Sequence, residues 1–125
     1  MPKPIVVHNS TSQSPISASG QSFGIYEWRG SGPDYLHVHH SDDEAWHVLE
    51  GTLVFKFIDE QVEAPAGTTV FVPSGVVHAY FAKPEESRYL IILTPRLYAL
   101  IEELHKTPYA QHKEVMRKYD SEIVE

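Results

Sequence analysis

Between residues 23 and 94, short runs of apolar or alternating residues recur, rich in Val, Ile, Phe, Tyr and Trp and separated by turn-forming clusters. This pattern predicts strands over 23–28, 36–39, 44–49, 53–58, 69–72, 76–81 and 88–93. The breaks carry turn chemistry: Gly30, Gly32, Pro33 and Asp34; Ser41, Asp42 and Asp43; Pro65 and Gly67; Pro73 to Gly75; Lys83 and Pro84. Seven strands with no helix-period stripe between them exclude alternating strand–helix units and predict an all-β fold, an antiparallel sandwich or barrel.

After Leu93 the period changes. Leu97, Leu100, Ile101 and Leu104 recur at i, i+3, i+4 and i+7, one stripe of an amphipathic helix. Thr94-Pro95 and Thr107-Pro108 each set a capping hydroxyl before a proline at a helix start, and Tyr109, Met116 and Tyr119 give a weaker second stripe. Residues 9–20 are rich in Ser, Thr, Gln and Pro and read as an extended arm or loop. The expected organisation is one domain: an N-terminal arm over 1–22, a β-barrel over 23–94 and a helical extension over 95–125.

Composition narrows the chemistry. At 125 residues the chain fits one domain, and 42% hydrophobic with 22% charged residues is ordinary for a globular protein. Without cysteine there is no disulfide framework, thiolate site or Cys nucleophile, so a transition-metal site must use imidazole and carboxylate. A net charge of -7 opposes binding to phosphate backbones, so nucleic acid is not an expected partner. No charged n-region with an apolar run and no apolar stretch of about 20 residues is present, which predicts a cytoplasmic protein with no membrane partner.

The eight histidines are the richest chemical resource. His37 and His39 sit at i and i+2 on a predicted strand, so their side chains share a face. A turn at Ser41 to Asp43 brings Glu44 to the start of the next strand, expected to reach the same point from across the ladder. His78 follows the Pro73-Ser74-Gly75 turn. Three imidazoles and a carboxylate suit one divalent transition metal (Fe, Mn, Ni, Zn or Cu) and leave two positions open on an octahedral ion. His40 and His47 fall out of phase with the ligand faces; His8, His105 and His112 lie outside the motif strands, with surface or interface roles expected. Asp42 and Asp43 read as turn formers. Tyr80, at i+2 from His78, is expected on the metal-facing side, where its hydroxyl could orient a substrate. Glu44 could double as a proton acceptor.

These spacings resemble the two motifs of the cupin superfamily. The first, G-x5-H-x-H-x(3,4)-E-x6-G, is matched by His37, His39, Glu44 and Gly51; the second, G-x5-P-x-G-x2-H-x3-N, by Gly67, Pro73, Gly75 and His78. Two positions depart: Ser31, flanked by Gly30 and Gly32, stands at the opening glycine, and Ala82 stands at the final asparagine. Over most of its length the chain is similar to small single-domain bacterial cupins, some of them quercetin-dioxygenase-like. The resemblance implies a double-stranded β-helix, or jelly-roll barrel, with a C-terminal helical tail, and His37, His39, Glu44 and His78 as metal ligands. It further implies an oxidoreductase of dioxygenase type acting on a small enolisable or phenolic compound. The alternatives are a non-catalytic metal or small-ligand binding module, serving as sensor or carrier, and a metal-assisted isomerase. Pairing of small cupin barrels through strand edges implies a homodimer.

Overall fold

The alternation written into the central strands is what the fold uses. In the computed structural model, which describes residues 3–11 and 13–124, β4 (Glu44–Glu50) buries Glu44, Trp46 and Val48 and turns Ala45, His47 and Leu49 outward. β9 (Arg88–Leu93) likewise buries Tyr89, Ile91 and Leu93. Each of the apolar side chains among these contributes about 1.5–3 kcal/mol by leaving water. Met1, Pro2, Ser12 and Glu125, which belong to the expected arm and helical extension, lie outside the described residues.

The two strands sit side by side in a five-stranded antiparallel sheet with β1 (Ser17–Ser19), β2 (Gly24–Arg29) and β7 (Thr69–Val72), in the order β1-β2-β9-β4-β7. A second layer is built from β6 (Gln61–Pro65), β5 (Thr52–Lys56) and β8 (Ala79–Ala82), and from β10 (Ser121–Ile123) paired with β3 (His37–His39). His37 and His78 join these two ladders through reciprocal backbone hydrogen bonds of 3.0 and 2.9 Å. The layers face each other as the double-stranded barrel expected, and the aromatic centre, Trp46 against Phe55 and Tyr80, fills the space between them.

Helix α1 (Pro95–His105) starts as the sequence predicts: Thr94 accepts from the Leu97 amide at 3.2 Å, Pro95 holds the first helical position, and Leu97, Leu100 and Leu104 are buried. The second cap is different. Thr107 donates its hydroxyl back to the Glu103 carbonyl at 2.6 Å, a 3₁₀ turn over Tyr109–Gln111 follows, and α2 (His112–Lys118) begins only after it. Val115 and Met116, rather than Tyr109, Met116 and Tyr119, form its buried face. Three strands lie outside the expected set. β1 falls within the stretch read as an arm or loop, β6 has a largely polar sequence, and β10 follows the helices.

Candidate metal centre

The ligand candidates arrive from both layers. His37 and His39 come from β3, and His78 from the residue just before β8, in the second layer. Glu44 comes from β4, whose neighbours are β7 and β9, so it reaches the histidines across the sandwich interior and not along a shared ladder, as the sequence had suggested. All four side chains are buried, and their donor atoms lie within 4.8 Å of one another. His39 Nε2 and His78 Nε2 are 3.0 and 2.9 Å from Glu44 Oε1.

The far side of each ring is fixed. His37 Nδ1 donates to the Tyr35 carbonyl at 3.2 Å and His78 Nδ1 to the Val76 carbonyl at 2.9 Å. His39 Nδ1 is 2.7 Å from Ser121 Oγ, whose own proton goes to the Tyr119 carbonyl, so here too the ring nitrogen donates. A neutral imidazole carrying its proton on Nδ1 presents a bare lone pair at Nε2. Three such lone pairs and a carboxylate therefore converge with no donor among them. A cation supplies what this set lacks, so its chemistry fits a divalent metal.

Electrostatics point the same way. Burial, with the nearby His78 and His39, pushes His37 down to about 3, which keeps it neutral and able to ligate. Burial alone would raise the Glu44 carboxyl, but a proton on the Nε2 of His39 or His78 facing it outweighs burial and holds it well below the usual carboxylate range, so the carboxylate is set to face positive charge.

The centre opens into a cavity of about 680 Å³ between the sandwich and the helices. His37, His39 and Glu44 reach its wall, as do Trp28, Trp46 and Tyr80 from the strands and Leu100, Ile101 and Met116 from the helices. Tyr80 stands where its phase predicted, with its hydroxyl 2.8 Å from that of Tyr89. Tyr89 donates to the Gly30 carbonyl at 3.0 Å, so Tyr80 spends its proton on Tyr89 and keeps only acceptor capacity; burial pushes its hydroxyl up to about 12.

Several supporting residues were not legible as such. Ser121 lies 82 positions from His39 and carries no local signal. His112, expected at the surface, is half-buried on the cavity wall: its Nε2 donates to the Leu104 and Thr107 carbonyls at 3.2 and 3.0 Å, which leaves Nδ1 to accept from the Tyr35 hydroxyl at 2.9 Å. Asp42 is buried rather than a plain turn former, accepting from Thr94 at 3.1 Å and pairing with Arg96, which ties the ligand turn to the start of α1. Asp43 accepts from the Ser74 amide at 2.8 Å and ties the same turn to the loop before His78. His40 is exposed and pairs with Glu122, and His47 bonds Thr69, so neither faces the centre.

The departures from the motifs have a structural account. Gly32 packs so closely on Tyr80 that a Cβ would come within 2.5 Å of its ring, while the Ser31 hydroxyl accepts from the Ala82 amide at 2.9 Å. Gly51, at φ +80 with Ser87 against it, is a position only glycine fits.

A jelly-roll sandwich with a three-histidine, one-glutamate cluster at its centre defines the cupin class. The chain belongs to it: residues 25–93 match the cupin domain family. It is 32% identical to a cupin-2 domain containing protein from Shewanella frigidimarina, with a TM-score of 0.55 over 66% of this chain and 81% of that one. A cupin protein from Bacteroides fragilis, 15% identical, shares the fold with a TM-score of 0.54 over 74% of this chain and 82% of that one. An uncharacterized protein of Streptomyces coelicolor is 30% identical over 56 residues, 45% of this chain, and the chain spans only about half, 53%, of that relative's length.

Proposed function

We propose that this cupin holds one divalent transition metal (Fe, Mn, Ni, Zn or Cu) through His37, His39, Glu44 and His78. We further propose that it acts as an oxidoreductase of dioxygenase type on a small oxygen-bearing compound, enolisable or phenolic. The observation that carries this reading is the convergence of four acceptor atoms, three with their outer nitrogens already donating, on a cavity large enough for a small molecule. A metal bound there would supply Lewis-acid polarisation of a substrate oxygen or activation of O₂.

The chain's own residues do the rest. The cavity wall excludes water and orients the substrate. Glu44 is the group able to take a substrate proton, through whichever oxygen ligation leaves free. Tyr80 would orient a substrate hydroxyl by accepting from it, since its own proton is spent on Tyr89. On this reading arm 1–22, barrel 23–94 and extension 95–125 act as one domain, supported by the shared cavity wall.

A second reading, a metal and ligand binding module or a metal-assisted isomerase, is favoured by the same Tyr80–Tyr89 chain, which leaves no tyrosine proton on that wall for chemistry. The deciding experiment is elemental analysis of protein purified without chelator or nickel column, then oxygen uptake with enolisable and phenolic compounds after the identified metal is restored. Tight ligand binding with no conversion under any of the candidate metals would favour the binding module.

A homodimer is part of the proposal. Ala18, Ile25, Ile92, Ala45 and Phe71 stand in register across all five strands of the first sheet on the face away from the interior, and Phe71 is 62% exposed. Light scattering giving the mass of a 14.2 kDa monomer would refute it. No described helix is long and apolar enough to cross a membrane, and cell fractionation would test the proposed cytoplasmic location.

A further inference from the structure

The wall of the cavity also restricts what can enter it. The tyrosine hydroxyl protons inside it are committed: Tyr80 to Tyr89, Tyr89 to Gly30, Tyr35 to His112; the hydroxyls of Ser31 and Tyr109 stand at exposed positions of the lining. The inner part of the helical wall, Leu100, Ile101, Leu104 and Met116, is apolar; His105 and Tyr109 stand at its exposed edge, and His112 has both ring nitrogens committed. Among the described lining residues the non-histidine cation is Arg29, which is exposed at the rim and donates to the Glu86 carbonyl at 3.1 Å. The acids of the lining are Glu27, already paired with Arg88, and the exposed Asp34.

Charge therefore has one place to be neutralised. A divalent ion against the single Glu44 carboxylate leaves one net positive charge, enough for one ionised oxygen. A second anionic group held against Leu100, Ile101, Leu104 and Met116 would be desolvated with no counter-charge among them. A sugar or other polyol would bury hydroxyls against Leu100, Ile101, Leu104 and Met116, whose side chains have no partner to offer them.

We infer that the cavity selects a flat, largely apolar ligand whose oxygens are confined to the metal end and whose remaining body is uncharged. Phosphorylated, sulfonated, polycarboxylate and sugar-like ligands are rejected at the helical wall. The inference rests on the metal reading above and adds to it the polarity of the rest of the ligand.

The test uses two chelators that differ only at the far end, 2,3-dihydroxynaphthalene and its 6-sulfonate, titrated by calorimetry into metal-loaded protein. Each affinity is corrected for the chelator's intrinsic affinity for the free ion, and metal content is measured on the same samples. The neutral diol is expected to bind at least about tenfold more tightly, the equivalent of about 1.4 kcal/mol. Ile101→Arg should narrow or reverse that preference while metal content stays the same. Because Ile101 is half-buried, Tyr109→Arg, at a 67% exposed position on the wall, provides a second variant expected to shift the preference in the same direction. Equal affinity for the two diols in the loaded wild type, or a preference unmoved by both variants, overturns the inference and leaves the metal reading standing. Protein that takes up no metal overturns both.

Discussion

The strands that carry the ligands and the tail that closes over them are built on different principles. In β3, β4 and the approach to β8, each ligand owes its direction to its own strand's two-residue period and to a turn next to it, interactions within a few positions of one another. The tail is held from afar: β10 docks on β3 with Ser121 opposite His39, Glu122 opposite Val38 and Ile123 opposite His37, after two helices and a 3₁₀ turn. Side chains repeat the docking, with Ser121 on His39, Glu122 on His40, and Ser41 donating to Asp120. Local geometry places the donors in this protein, and distant chain orients one of them.

Breaking the local part should have the largest effect. His78→Ala or Glu44→Ala is expected to weaken metal binding by more than the roughly 10–100-fold that loss of an outer partner costs, measured by competition with a chelator of known affinity. Metal retention equal to wild type in either variant would remove that residue from the ligand set.

Acid tests the burial of the same cluster without changing a residue. His37 is held neutral down to about 3 in the folded chain, whereas an unfolded histidine takes up its proton near about 6.5. The unfolded state thus binds more protons in that window, and metal-free protein should lose a few kcal/mol as pH falls through it. Glu44, also depressed in the fold, adds a loss of the same sign below the usual carboxylate range. Urea midpoints from pH 7 to 3.5 measure the slope. His37→Leu should flatten it, and an equal slope in that variant would exclude His37 as its source.

The tail can then be detached from the donors by a single atom. Ser121→Ala is expected to weaken metal affinity about 10–100-fold while Ser121→Thr, which keeps the hydroxyl, retains it. Similar loss in both variants would mean that the site needs the size of the side chain there and not its bond to His39. The smallest effect belongs to Tyr35→Phe. Losing the bond to His112 should cost about 1 kcal/mol of stability, yet leave metal affinity unchanged, because the Tyr35 carbonyl and not its hydroxyl holds His37.

The same contrast explains what could be read in advance. The phase of Glu44, Trp46 and Val48, the i and i+2 histidines and the capped stripe of α1 are local, and they emerged from spacing alone. β6 carries only a faint signal: Val62 and Ala64 alternate with Gln61, Glu63 and Pro65, and two modest apolar residues beside a proline make a weak strand pattern. β10 is three residues long and reads as nothing until β3 is beside it. That Glu44 would come from the facing layer, and that His112 would line a cavity, depend on topology, which no window of sequence contains.

The bond between Ser31 and Ala82 has a consequence for how such a barrel can change. Each residue replaces what the family pattern puts at its place, and each is the other's partner, the hydroxyl of one receiving the backbone amide of the other. Restoring glycine at 31 alone would leave that amide without its acceptor. The bond depends on the hydroxyl at 31 but not on the side chain at 82, since any residue but proline there presents the same amide; a change at 82 can keep the link, whereas loss of the hydroxyl breaks a hydrogen bond joining residues 51 positions apart.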